Sequence, residues 1–185
     1  TAVCNLGSIN LLNHLREDNT IDYKKLENSI YTGIRILDNV IDLNFYPTKE
    51  AKNSNLRHRP IGLGMMGIHD VLHKLNIKID SKEAIELNDS LFEFYSMHAI
   101  YASSILAAEK GSYETYKGSL WSQGVFPIDS YNNLMVYRGQ QKTPKEGKPL
   151  TGKGQTFKEW QKIREHVAEF GMRNSNTMAW LPRGN

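Results

Sequence analysis

Two stretches of the chain are apolar, rich in small residues and without helical period: residues 1–12, TAVCNLGSINLL, and the glycine-punctuated Pro60-Ile61-Gly62-Leu63-Gly64. Short runs of this kind read as buried strands. Between them, after a surface turn over 14–20, Leu26, Ile30, Ile34, Leu37 and Ile41 recur at spacings of three and four. They give one apolar stripe on a long helix that Asp22 caps and that ends before Pro47. Buried strands joined through a helix belong to a parallel sheet or barrel covered by helices. The expected class is therefore α/β, mostly helical, with two or three short buried strands. Three strands are too few to complete such a sheet.

The rest of the chain is read the same way. Residues 49–59 form a polar linker, and Ile68, Val71, Leu72 and Leu75 mark a helix of about three turns after the second strand. Asp80 and Glu83 resemble a capping box ahead of the longest helix, which runs through Leu87, Leu91, Tyr95, His98, Ala102, Ile105 and Leu106 to a cap at Gly111. An ordered loop over 112–128 leads to a short helix capped by Asp129 and ending at Tyr137. Residues 138–155, rich in lysine and glycine, read as a surface loop. Thr156 and Glu159 box a final helix with Trp160, Ile163, Val167 and Phe170 on its stripe and Gly171 beyond its end; residues 175–181, SNTMAWL, give a further strand. No internal repeat is visible.

Composition narrows the classes. The chain has 185 residues, of which 39% are hydrophobic and 23% charged, with a mean hydropathy of −0.52, as expected of an ordinary soluble domain. No uncharged apolar run reaches the roughly 18–20 residues of a spanning helix, and no basic leader precedes an apolar stretch. The expectation is a cytoplasmic protein without a membrane partner. The single cysteine, Cys4, leaves no internal disulfide and no multi-thiolate zinc site within this chain, and fits a reducing compartment. The net charge of +3 is local: residues 138–155 carry five basic side chains (Arg138, Lys142, Lys145, Lys148 and Lys153) against Glu146 alone. The chain opens at Thr1 and stops at Asn185, four residues after an apolar run, so both ends read as cut, as at a truncation, a split gene or an intein junction.

Several residue patterns touch on chemistry. Gly62-x-Gly64-x-x-Gly67 has dinucleotide-loop spacing, but the residues before it are too polar for a first buried strand, and no acidic residue caps a second strand about 20 positions on. His69-Asp70-Val71-Leu72-His73 imitates a zinc-protease helix, yet its aspartate is shorter than the glutamate that chemistry needs; no metal ligands are assigned. Arg57-His58-Arg59 and the lysines of 138–155 have the charge to meet phosphates, but the lysine stretch lacks the interleaved aromatics on which bases stack. Taken alone, a cysteine among apolar neighbours reads as a small hydrophobe inside its strand.

Read together, the neighbours of Cys4 say more. Cys4-Asn5-Leu6-Gly7-Ser8-Ile9-Asn10-Leu11 resembles the strand of the ribonucleotide reductase large subunit that carries one of its two reducing cysteines. Similar matches follow in the family's order: Phe45-Tyr46-Pro47, Arg57-His58-Arg59-Pro60-Ile61-Gly62-Leu63-Gly64, Gly111-Ser112-Tyr113-Glu114-Thr115-Tyr116, Gly118-Ser119-Leu120-Trp121-Ser122-Gln123-Gly124 and Gly171-Met172-Arg173-Asn174-Ser175. They span almost the whole chain.

The resemblance implies a segment, residues 1–185, of the C-terminal part of a ten-stranded α/β barrel of the class I type, which reduces ribonucleoside diphosphates. In that family a thiyl radical abstracts the 3′-hydrogen, the 2′-hydroxyl leaves as water, and two barrel cysteines become a disulfide; Cys4 matches one of them. It further implies that this chain binds no cofactor itself. The radical cofactor belongs to a small subunit, and the ATP and deoxynucleotide effectors bind an N-terminal part not present here. The implied partners are the remainder of the large subunit, the small subunit, thioredoxin or glutaredoxin as reductant, and the diphosphate substrate. At the end of the chain Pro182, Arg183 and Gly184 occupy the place of the family's phosphate-binding turn, with Arg183-Gly184-Asn185 replacing its threonine-rich sequence. The isolated chain is expected to be inactive or nearly so. Two other readings stand beside this one: a non-catalytic assembly half of a split subunit, and a helical nucleic-acid binder using 138–155.

Overall fold

A computed structural model of the protein describes residues 3–139 and 157–180. Strand β1 (Asn5–Asn10) lies parallel to β2 (Ile61–Met66), in register from Asn5 opposite Ile61 to Asn10 opposite Met66. A third strand, expected over 175–181, is present as a short ladder. The amides of Ile61 and Leu63 donate to the carbonyls of Asn176 and Thr177 (3.1 and 3.0 Å), and Leu63 bridges in parallel to Met178. The strands thus run in one direction and need crossovers between them.

The first crossover contains helix α1 (Tyr23–Leu43), started by the Asp22 carboxylate accepting from the Lys25 amide (3.0 Å). Leu26, Ile30, Ile34, Leu37 and Ile41 are all buried against the strands and helix α4 (Lys82–Lys110). Close approach to the sheet is set at Gly33, where a Cβ would stand 2.9 Å from Leu63 Cδ2, so that the leucine seats against bare helix backbone. The polar linker expected over 49–59 is instead helix α2 (Lys49–His58), capped by the Thr48 hydroxyl at the Ala51 amide (3.2 Å). Only Ala51 and Asn55 of this helix are buried, which leaves almost no apolar period to read. It ends because Arg59 turns left-handed (φ 47°) and Pro60 has no amide to continue the ladder.

Helix α3 (Ile68–Lys74) has seven residues, about a turn shorter than its pattern suggests, because Asn76 turns left-handed (φ 55°) and the Ile77 amide closes back on Leu72 O (2.9 Å). The long helix α4 is capped one residue later than expected, by the Ser81 hydroxyl at the Ala84 amide (3.2 Å). It is buried on two sides. Leu91, Tyr95, Ala99, Ala102 and Leu106 join the core of α1 and the strands, while Met97 and Ile100 face a second core with Tyr113, Phe126, Trp160, Ile163, Val167 and Met172. That second core is closed by α5 (Pro127–Tyr137) and α6 (Phe157–Phe170). Phe170, expected on the buried stripe of α6, is partly exposed, since Gly171 (φ 77°) turns the chain away at that point. The Thr156 cap and nearly all of the basic stretch 138–155 lie outside the described residues, as does the end of the chain from 181.

One cluster of charges joins these layers. Asp38, on the buried face of α1, is fully enclosed and accepts from Arg59 Nε (2.9 Å), with Arg173 Nε at 3.4 Å and Lys110 Nζ at 3.7 Å. Arg59 also grips Asp42 with both terminal nitrogens, each at 2.8 Å. Asn174 donates to Asp38 Oδ1 (3.0 Å) and to the Arg59 carbonyl (3.1 Å), and exchanges two hydrogen bonds with Ser103 of α4. A buried carboxylate is tolerable only when matched in this way, and truncating one partner strands the other charge.

Arg59→Ala should therefore lower unfolding stability by about 3–5 kcal/mol in urea melts, whereas Arg35→Ala, breaking the half-exposed pair with Glu109, should change it by under about 1 kcal/mol. Acid should also act here. The Arg59 hydrogen bonds hold the Asp42 carboxyl below its ordinary value, so its contribution is full above the unfolded aspartate value of about 4 and is lost as pH falls through the folded one. Wild type should exceed Asp42→Asn in stability above about pH 5, and the difference should shrink steadily on further acidification.

Candidate functional site

Alternation along the strands sorts their side chains into two faces. Gly7 of β1 meets Leu37 of α1, with a Cβ there in ordinary contact at 3.6 Å, and Ile9 and Leu63 are buried on that helix-covered side. The opposite face carries Cys4, Leu6 and Ser8 from β1 and its lead, and Gly62 and Gly64 from β2. A Cβ on Gly62 would lie 2.6 Å from both Leu6 Cδ2 and Ala179 Cβ and 3.4 Å from Cys4 Sγ; one on Gly64 would lie 2.7 Å from Ala179 O and 3.2 Å from Ser8 Oγ. The glycines thus make a floor that admits the sulfur, the leucine and the third strand segment at once.

This placement corrects the expectation of a cysteine inside a buried strand. Cys4 stands one residue ahead of β1 and is exposed, as is Leu6 at 47%. Among the described residues helix α1 covers the other face of the strands. Packing of the sulfur toward β2 still removes water from one side of it, and this burial pushes the Cys4 thiol above its ordinary pKa. That shift favours the protonated thiol, able to give up a hydrogen atom or a proton, over a free thiolate nucleophile.

The floor is braced from behind. Tyr95 of α4, fully buried, donates its hydroxyl to the Gly64 carbonyl (2.8 Å), and its ring lies 5.2 Å from that of Trp180, which also meets Phe92 at 4.4 Å. Trp180 is the last described residue before Pro182, Arg183 and Gly184, which lie outside the described residues.

The sequence motifs other than the Cys4 strand form a scaffold. Arg57 pairs with Glu114 (2.8 Å), His58 Nδ1 meets the Thr115 hydroxyl (2.6 Å), the Tyr113 amide donates to Met172 O (3.0 Å), and Trp121 Nε1 donates to Ser175 O (2.9 Å). With Arg59 and Arg173 on Asp38, these four motifs are joined to one another, whereas Phe45-Tyr46-Pro47 is tied in through Tyr46 to Ile41 and Asn55. Of the three residues Arg57, His58 and Arg59, Arg59 is enclosed on Asp38 and Asp42, whereas Arg57 pairs through its Nε with Glu114 at the surface. The dinucleotide-like spacing is likewise explained, since Gly62 and Gly64 lie inside β2 under close packing and Gly67 (φ 80°) only starts α3. His69, Asp70 and His73 are exposed on α3, and among the described residues no group of three His, Cys, Asp or Glu side chains is placed to hold a metal ion. No helix among the described residues is long and apolar enough to cross a membrane.

Sequence reasoning missed Asp38, Asp42, Ser103 and Asn55. A signal existed for Asp38, which stands four residues after Ile34 and three before Ile41, inside the apolar stripe of α1. A charge at a stripe position must have a buried partner.

Comparison with known proteins agrees with the motifs. The family model for the ribonucleotide reductase barrel domain matches residues 1–185. The chain is 48% identical over 182 residues to a ribonucleoside-diphosphate reductase subunit alpha of Chlamydia pneumoniae, an overlap of 98% of this chain and 17% of that protein. It is 45% identical over 185 residues to the subunit alpha of Helicobacter pylori, covering 21% of it, and 36% identical over 181 residues to the large subunit of Danio rerio, covering 20%. The chain thus spans 17–21% of the length of these relatives. It belongs to the ribonucleotide reductase barrel-domain family.

Proposed function

We propose that these 185 residues form part of the catalytic barrel of a ribonucleoside-diphosphate reductase large subunit, with Cys4 as one of its two reducing thiols. The observation that carries the reading is the glycine floor: Cys4 Sγ stands beside Gly62, where a side chain would crowd the neighbouring Leu6 and Ala179, on the face of the strands opposite helix α1. In a barrel that face is the interior, where substrate is shielded from water.

In the proposed reaction the ribose C2′–O bond breaks and the oxygen leaves as water. Cys4 and a second thiol, supplied from outside this chain, give up two electrons and two protons as their S–S bond forms. The radical that starts the reaction comes from the small subunit, and thioredoxin or glutaredoxin returns the disulfide to thiols. A bond between sulfurs needs Cα atoms about 4.4–6.8 Å apart, which favours cysteines on neighbouring fixed strands. The protonated state of Cys4 suits a donor of hydrogen. Pro182, Arg183 and Gly184 are proposed to take the place of the phosphate-binding turn, with the Arg183 guanidinium as the diphosphate contact. The complete barrel is proposed to have ten strands, of which this chain contributes β1, β2 and the segment 176–178.

In the full-length subunit with a dithiol reductant, Cys4→Ser should abolish repeated turnover; sustained turnover by that variant would contradict the assignment. Gly62→Ala should reduce turnover by at least about ten-fold, because its methyl group must displace Leu6 and Ala179 and with Leu6 the strand that carries Cys4. A variant with wild-type rate would show that the floor has no part in placing the thiol.

A further inference from the structure

Helix α2 is polar along most of its length, yet Asn55 near its end is fully buried. Its amide joins two segments distant in sequence. Oδ1 accepts from the Val3 amide (3.3 Å), and Nδ2 donates to the Tyr46 hydroxyl (3.4 Å), which itself donates to the Ile41 carbonyl at the end of α1 (2.7 Å). The chain before β1 is thereby tied through α2 to α1.

The tie falls where the sheet gives no hold. The β1–β2 register begins at Asn5 opposite Ile61, so Val3 and Cys4 lie beyond the ladder. Strand ends outside a ladder open at little expense. Among the described residues the Cys4 sulfur has a single hydrogen-bond contact, a long one to its neighbour's carbonyl, Asn5 O at 3.8 Å, which does not fix its direction. We infer that Asn55 is a positioning residue for Cys4, clamping the strand lead at Val3 so that the thiol stays beside Gly62 and aimed across the face opposite helix α1. This rests on the reading of Cys4 as a reducing thiol.

The test is made in the full-length subunit by following iodoacetamide labelling of Cys4 with peptide mass spectrometry. Asn55→Ala removes the acceptor of the Val3 amide and should speed labelling by about five-fold, the effect of one lost hydrogen bond on local opening. Tyr46→Phe cuts the far end of the chain of bonds, leaves the Val3 bond in place, and should keep labelling within about two-fold of wild type while lowering the thermal midpoint. Unchanged labelling in Asn55→Ala overturns the inference. So does equal acceleration in both variants, which would mark Asn55 as part of general stability alone.

If Asn55→Ala fails to fold, hydrogen exchange in the unaltered subunit decides. The Val3 amide, although outside the ladder, should exchange at least about ten-fold more slowly than an unstructured amide; exchange at the unstructured rate overturns the clamp. Because these readouts record thiol exposure and amide protection, they stand apart from turnover. Repeated turnover by Cys4→Ser would retire the redox reading and leave the clamp measured, whereas unaltered labelling in Asn55→Ala would retire the clamp and leave the redox reading untouched.

Discussion

The enclosed carboxylate of Asp38 is the constraint on which the rest of this structure depends. It is reached by Arg59 at the turn between α2 and β2, by Lys110 at the end of α4, and by Arg173 and Asn174 ahead of the third strand segment. An unmatched carboxylate in that position would oppose folding by several kcal/mol, so the four segments are held to one arrangement or the charge is stranded. The left-handed backbone of Arg59 fits the same logic. Its φ of 47° is unfavourable for a side chain of that size, and its guanidinium is fixed by Asp38 and Asp42.

That arrangement determines where β2 lies, and β2 carries the floor of the site. Because Arg59 directly precedes Pro60 and Ile61, the charge cluster fixes the start of the strand whose Gly62 faces the Cys4 sulfur. On the helix side, Gly33 lets Leu63 sit against α1; on the other side, Gly62 and Gly64 let Cys4, Leu6 and Ala179 approach. A strand read as Ile-Gly-Leu-Gly is thus apolar toward the helices and nearly bare toward the site. On the bare face Leu6 and the thiol are exposed among the described residues, as expected if further strands of a barrel complete the enclosure.

Much of this was legible in the sequence wherever apolar period and caps coincide. The stripe from Leu26 to Ile41 gave α1 with its Asp22 cap, and the two glycine-punctuated apolar runs gave the parallel strands. Helix α2 was not legible, because a helix with only Ala51 and Asn55 buried has no stripe, and its start depends on the single hydroxyl of Thr48. The second buried side of α4 was hidden for the opposite reason, since a helix covered on two sides loses the polar face that makes its period visible. At the site, the motif around Cys4 pointed to the residue. Its position outside the ladder follows from the sheet register, and the long-range bond from Asn55 to Val3 leaves no local pattern, as the two residues are 52 positions apart.

The central claim is that Cys4 is oxidised as the ribose is reduced. The most direct measurement is a single turnover of the full-length, small-subunit-activated enzyme without external reductant, followed by alkylation of remaining thiols and disulfide mapping by mass spectrometry. The account predicts that Cys4 is recovered in a disulfide with a cysteine from outside this chain, in step with the deoxyribonucleotide formed. Recovery of Cys4 as a fully alkylated thiol alongside stoichiometric product would contradict it.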